Sequence, residues 1–429
     1  MKKMFVTAML PLTLGGGLDF QGRAFDPRLD NPSQLAPRQS VSRSMREIGR
    51  VQQFMLPVVP WSDRAWDHNR ALMNERYTDS DFTRLGSWDA RKAYGAEYNA
   101  ERLVNLPPGP QRDQAIATLS PAEKYDLVMG TIRGGLTDAN RKSLDREMPG
   151  SGKFPTWWGI CEGSAAASLA APEAVNMISV YSVPYGVDVP FYAPDVKALV
   201  SLLWSSYNSK LSLPEIGQQC DTGGGGACAD VNPASFHASI HHFLGLGKGH
   251  LIADVDESRV VWNHPLVGYE TVYYRADQSP SRPAANFEEA LLRNNPNLPD
   301  PRQRLRAPGT AYLLGVETKL YYADNQKQHP LSGSVKRKVL SMRLQYELEL
   351  DANLNLLGGE WLSKKHPDIL WTIPAGTRPD TPGDASLGMA GWDGRETPSG
   401  WEYAARNSAQ RMMPLRKVVD GLLRRSAQP

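Results

Sequence analysis

The 429-residue chain is short of cysteine, carries no surplus of charge and shows no internal repeat, and each shortage removes a class of function. Its 48 basic and 46 acidic residues leave a net charge of +2, which supplies no basic field for a phosphate backbone, so no nucleic-acid partner is expected. No run is long and apolar enough to cross a bilayer, so no stable membrane span is expected. Neither an EF-hand loop nor a dense acidic cluster offers calcium a place. What is plentiful is turn chemistry. Gly (37) and Pro (33) make up about one residue in six, which predicts many loops without predicting a disordered chain. The length suits one large domain with extensions, or two domains.

The three cysteines divide unevenly. Cys220 and Cys228 flank a Gly-rich turn, CDTGGGGAC, and could close a short disulfide loop, which leaves Cys161 as the odd thiol. A staple plus one free cysteine fits an oxidising compartment and a reactive nucleophile; three reduced, inert thiols are the alternative. Lys2, Lys3, an apolar stretch over residues 4–14 and Gly15 to Gly17 have the order of a signal peptide over residues 1–17. Pro11 breaks that apolar stretch, and no A-x-A site follows it. The expectation is a secreted or periplasmic protein.

Residues 26–38 read as an irregular linker. Residues 41–56, 62–76 and 88–104 look helical and polar, and LPPG at 106–109 ends that run. Ser120, Pro121 and Glu123 form a capping box with Pro at N1, which predicts a helix over 121–129; another follows at 137–146. Residues 195–207 carry an apolar face at helical spacing. Residues 232–245 (NPASFHASIHHFLG) fit a helix capped by Asn232, with pairing to a strand at 249–254 as the other option. Residues 340–350 alternate strictly between apolar and polar, a half-buried strand with a hairpin partner at 354–361. Residues 266–274 and 316–322 also read as strands. Helices first and an antiparallel sheet later predict an α+β fold. Residues 380–400 read as a Pro/Gly linker, and the tail from Glu402 as a basic amphipathic helix.

The chemistry centres on residues 154–172, FPTWWGICEGSAAASLAAP. Helix formers follow Cys161 up to the stop at Pro172, which puts the thiol in a first helical turn, where the macrodipole favours a thiolate. A small buried hydrophobe is the competing reading. A cysteine nucleophile needs a base, and a carboxylate or amide to orient that base. Five of the eight histidines fall between 237 and 264. His237, His241, His242 and His250 are candidate bases; Asp254, Asp256 and Asn263 are candidate orienters. His237 and His241 with Asp254 or His250 could instead hold zinc, although no Glu follows the first His and no motif fixes a third ligand.

Several blocks together resemble one family, the secreted transglutaminase elicitors of plant-pathogenic oomycetes and their bacterial relatives. They are SPAEKYDL at 120–127, WWGICEG around Cys161, DVKALVSLLW at 195–204, and DVNPASFH ending at His237. LIADVD and VWNHP follow within 251–265, and then YELELDANLNLLGGEWLSKKHPDILW at 346–371. They run in order over about half the chain, leaving the first hundred and last fifty residues uncovered.

The resemblance implies a papain/transglutaminase-like triad of Cys161, His237 and Asp254, with Asn263 in reserve and a Cys220–Cys228 bridge nearby. Two departures stand out: Glu162 follows Cys161 and Ser164 follows Gly163, where the family has His and a large residue. Glu162 is expected to face solvent; turned inward it would raise the thiol's pKa.

The implied reaction cross-links proteins. Cys161 attacks a glutamine carboxamide, ammonia leaves with a proton from His237, and a lysine amine resolves the thioester while Asp254 holds the imidazole. The backbone N–H of Cys161 is an oxyanion donor. Trp157 and Trp158 would exclude water, with ordinary core packing as their alternative role. The implied partners are proteins presenting Gln and Lys. No cofactor is required, and calcium is implied by part of the family. A cysteine protease or amidase with the same triad is the runner-up, and a non-catalytic secreted binding protein the third reading. The expected organisation is a signal at 1–17, a helical region at 18–110 that could serve as a pro-segment, a catalytic domain at 111–375, and a linker and tail at 376–429.

Overall fold

The computed structural model describes residues 30–36, 40–211, 213–218, 230–256, 260–295, 297, 300, 302–324, 337–389 and 391–428. The expected signal peptide and the Cys220–Cys228 bridge lie outside the described residues. The fold is α+β.

In chain order the strands are β1 (Gln53–Met55), β2 (Ile178–Ser182), β3 (Val187–Phe191), β4 (Glu215–Gly217), β5 (Ile252–Asp254) and β6 (Asn263–Tyr274). They continue as β7 (Leu292–Arg293), β8 (Tyr312–Ala323), β9 (Val339–Leu350), β10 (Leu356–Trp361) and β11 (Ile369–Trp371). The main sheet runs β10-β9-β8-β6-β5-β11-β4, with β1 added beside β6 and β7 beside β8; β2 and β3 form a separate hairpin. Every strand pair is antiparallel.

The sheet divides two cores, because successive strand side chains point to opposite faces. Ile252, Trp371 and half-buried Ile369 pack on one side with the helices Pro121–Met129, Cys161–Ala170 and Ala193–Leu211. Ala253, Leu370, Tyr269, Tyr273 and Tyr346 face the other side, against the helix Pro233–Ile240. This division decides which candidate residues can meet.

Several expectations hold in detail. Ser120 caps Pro121–Met129 in a full capping box, Asn232 caps Pro233–Ile240, and β9 and β10 form the expected hairpin. Others need correction. Residues 41–56 hold only a short helix, Met45–Ile48, and then β1, which pairs with Gly268 to Glu270. A Cβ at Gly268 would sit 2.2 Å from the Phe54 carbonyl oxygen, so only glycine admits β1 there. Residues 62–76 form two 3-10 turns, with left-handed backbone at Trp66, Ala71 and Leu72. The helix over 88–104 breaks where Asn99 caps a new one, Ala100–Val104. Residues 380–400 contain a capped helix, Pro382–Ser386, whose Gly383 N–H donates to Ser408, and the tail holds two helices. The polar face of β9 is also buried in part, because Arg306 pairs with Glu347 and Glu349.

Candidate active site

The helix Cys161–Ala170 begins at the expected place. Ile160 N–H donates to the Ala65 carbonyl at 2.8 Å, and Ser164 N–H to the Ile160 carbonyl at 3.1 Å, so Cys161 is the first helical residue. Gly163 sets the depth of the helix. A Cβ there would lie 2.2 Å from the Ser201 carbonyl oxygen, so glycine lets Cys161–Ala170 lie close against Ala193–Leu211.

Cys161 is buried and unbridged. Its Sγ donates to the Val261 carbonyl at 3.6 Å and accepts from Asn263 Nδ2 at 3.9 Å, a long contact for a weak acceptor. Burial pushes the thiol up to about 12; Glu162 and Asp254 add to the rise, and Asn263 opposes it. The expected placement is there, but in this conformation burial outweighs the macrodipole and the sulfur is protonated. Glu162 is half-buried and turned inward, with Ser205 Oγ donating to it at 2.6 Å. Burial raises its pKa too. The solvent-facing orientation expected for Glu162 is therefore corrected.

Asn263 and Asp254 meet across β5 and β6, where they pair directly. Both point to the Cys161 side, as Ile252 and Trp371 do. Trp371 Nε1–H donates to Asn263 Oδ1 at 2.7 Å, which fixes the amide with its NH₂ toward the sulfur. Asp254 Oδ1 accepts from Trp262 N–H at 2.9 Å and Asp256 N–H at 3.2 Å. Its Oδ2 is buried with no partner among the described residues. Burial raises the Asp254 carboxyl to about 7, against the pull of those two N–H groups.

His237 does not join this group. Its ring is fully buried on the opposite face of the sheet, with Nδ1 at 2.9 Å from Tyr346 Oη and Nε2 at 3.4 Å from Tyr273 Oη. It stacks on His241 at 4.0 Å between ring centroids. Burial, then the neighbouring His241, holds it well below the usual imidazole range. The expected role of His237 as base to Cys161 is corrected, because β5 and β6 lie between the two side chains. The zinc alternative fails on the same division: His237 and His241 share one face, Asp254 lies on the other, and His250 is exposed. His241 is held by the Ile48 carbonyl at 3.0 Å, and His264 by the Ala323 carbonyl at 2.8 Å.

Trp157 and Trp158, a few residues before Cys161 in the chain, are half-buried, their rings 6.2 Å apart. His68 N–H donates to the Trp158 carbonyl at 2.9 Å, and the His68 ring lies 6.0 Å from the Trp158 ring. Its Nε2 meets Glu147 at 3.2 Å. Sequence reasoning missed Trp371, Ser205 and His68. Trp371 closes the last block of family resemblance, which was its one available signal. The group of converging ligand atoms among the described residues is Asp230, His366 and Asp368, and its imidazole does not suit a cation that takes six to eight oxygens.

The family profile for transglutaminase elicitors matches residues 44–393. The chain belongs to the transglutaminase elicitor family. Its fold is similar to the crystal structure of the GP42 transglutaminase from Phytophthora sojae, with a TM-score of 0.54 and 17% identity. The similarity covers 93% of this chain and 99% of that one. At that identity the likeness speaks for the fold alone. No curated protein sequence matches the chain.

Proposed function

We infer that this family member is a transglutaminase-type acyltransferase with Cys161 as nucleophile. The observation that carries the reading is the convergence of Asn263 and Asp254 from paired strands on a cysteine that opens a helix. The sulfur attacks the carboxamide carbon of a protein glutamine while its proton passes to Asp254. That proton then leaves with ammonia, and a thioester remains. A lysine amine attacks the thioester, loses its proton to Asp254 and forms the isopeptide bond as the thiol is regenerated. The backbone N–H of Cys161 and the Asn263 amide are the donors for the oxyanion. The expected export fits a protein acting on other proteins outside the cell.

The resting geometry limits the rate. Burial holds the thiol at about 12, well above the Asp254 carboxyl at about 7, so the proton transfer runs uphill in this conformation. Turnover therefore needs the burial of the thiol relieved. Among the described residues the side-chain contacts of Cys161 are to the Val261 carbonyl and the Asn263 amide and none is to an imidazole, which favours a second reading, a secreted elicitor that binds its target without catalysis.

The test incubates the protein with a glutamine-rich acceptor and a fluorescent primary amine, beside Cys161→Ala, Asp254→Asn and a chelator-treated sample. Amine incorporation abolished in Cys161→Ala and cut at least tenfold in Asp254→Asn supports transfer. Cys161-dependent cleavage without incorporation supports the protease, and no Cys161-dependent product supports the binding protein. Loss on chelation would assign an ion requirement.

A further inference from the structure

On the sheet face away from Cys161, two loops bring together three residues that the acyl-transfer reading does not use. Asp230 lies just before the Asn232 cap of Pro233–Ile240, and His366 and Asp368 lie between β10 and β11. One ligand atom from each lies within 4.8 Å of the other two, with His366 and Asp368 buried and Asp230 half-buried. We propose that Asp230, His366 and Asp368 bind a divalent transition metal of the zinc type, which clamps the start of the Pro233–Ile240 helix to the loop before β11.

The orientation of the imidazole supports this. The His366 ring stacks flat on Trp361, 4.9 Å between centroids and 8° between planes, and Trp361 Nε1–H is itself fixed by the Val231 carbonyl at 2.9 Å. His366 Nδ1 lies 3.4 Å from the Pro367 carbonyl, and the tautomer with its proton there leaves the Nε2 lone pair for a cation. That Nε2 lies 3.5 Å from Asp230 Oδ2. In that tautomer a cation between the two atoms would satisfy both lone pairs, whereas a proton on Nε2 would make the contact an ion pair. A backbone carbonyl on the second imidazole nitrogen is also the usual support for a metal-ligating histidine. The donors select the ion: one imidazole with two carboxylates suits zinc, whereas calcium and magnesium favour oxygen alone.

The site is braced from both loops. Val231 N–H donates to the Asp368 carbonyl at 3.0 Å, and Asp368 N–H to the Asp254 carbonyl at 3.3 Å. A metal here would hold β11 in register beside β5, yet the binding claim stands independently of the acyl-transfer reading.

The full chain, stripped of metal and dialysed, is titrated with Zn2+, Ca2+ and Mg2+ by calorimetry, and with Co2+ as an optical probe of the ligands. We expect one equivalent of Zn2+, an accompanying rise in melting temperature, and a Co2+ spectrum without a thiolate charge-transfer band. Asp230→Asn and His366→Gln should each weaken Zn2+ binding at least tenfold while the apo proteins keep the wild-type far-UV circular dichroism. Four results would overturn the proposal: no stoichiometric Zn2+ binding, a thiolate band in the Co2+ form, Ca2+ binding in place of Zn2+, or unchanged affinity in both variants. If both variants misfold, Asp368→Asn and metal analysis of the wild type decide the matter by the same criteria.

Discussion

Replacing Glu162 by Gln should lower the Cys161 pKa, and the size of the effect follows from the site. The residues are neighbours in the first helical turn, with Cα atoms about 3.8 Å apart and side chains about 100° apart around the axis, for which a carboxylate-to-sulfur separation of roughly 7 Å is a working value. At an effective dielectric of about 20, two full charges at that separation repel by about 2.4 kcal/mol, or about 1.7 pH units. Ser205 already donates to the carboxylate, and burial raises the pKa of Glu162, so its mean charge is below one. A fall of about one unit is expected, a roughly tenfold gain in thiolate at any pH well below the midpoint. The assay is alkylation of Cys161 by iodoacetamide across pH, followed by mass spectrometry of the Cys161 peptide. The shift in the pH profile is the readout, because burial slows the absolute rate in both proteins. Glu147→Gln, on the far side of His68, is the control. A profile unchanged in Glu162→Gln, or moved to higher pH, would refute an inward, charged Glu162.

Trp371→Phe keeps the ring packing but leaves the buried Asn263 Oδ1 without its donor, which should cost about 1–3 kcal/mol in urea unfolding and lower amine incorporation more than it changes acceptor binding. Lys124→Met breaks the fully buried pair with Asp195, 2.7 Å apart, and should destabilise by about 3–5 kcal/mol; adding Asp195→Asn should recover part of that loss in thermal melts. Burial lowers His241 from 6.5 to about 3, so the unfolded chain binds the extra proton first. The stability that a neutral His241 supplies above pH 6.5 is therefore lost as pH falls from 6.5 toward 3. His241→Gln should flatten that limb of the stability–pH curve, and an unchanged slope would refute the assignment.

The sequence by itself determined the elements whose signals are local. A capping box, an Asn-Pro helix start, an alternating strand and a cysteine at the head of an alanine-rich helix each depend on residues a few positions apart, and each is found where it was expected. The family blocks pointed to Cys161, His237 and Asp254 with Asn263 in reserve, and His237 lies apart from the other three, against Tyr346 and Tyr273. Short strands such as β4 and β11 carry too few residues to show a period, and β1 reads as helix until its partner β6 is known. Only the tertiary structure decided which candidates meet. His237 and Asp254 are equally plausible partners for Cys161 along the chain. Yet Ala253 faces one core and Ile252 the other, so the sheet puts Asp254 beside the sulfur and His237 behind it. Glu162 turns inward because Ser205, more than forty residues on, receives it, and Trp371 acquires its role from Asn263 across the strands. Which face a residue occupies depends on strand pairing between distant segments, and no local pattern in the chain encodes that pairing.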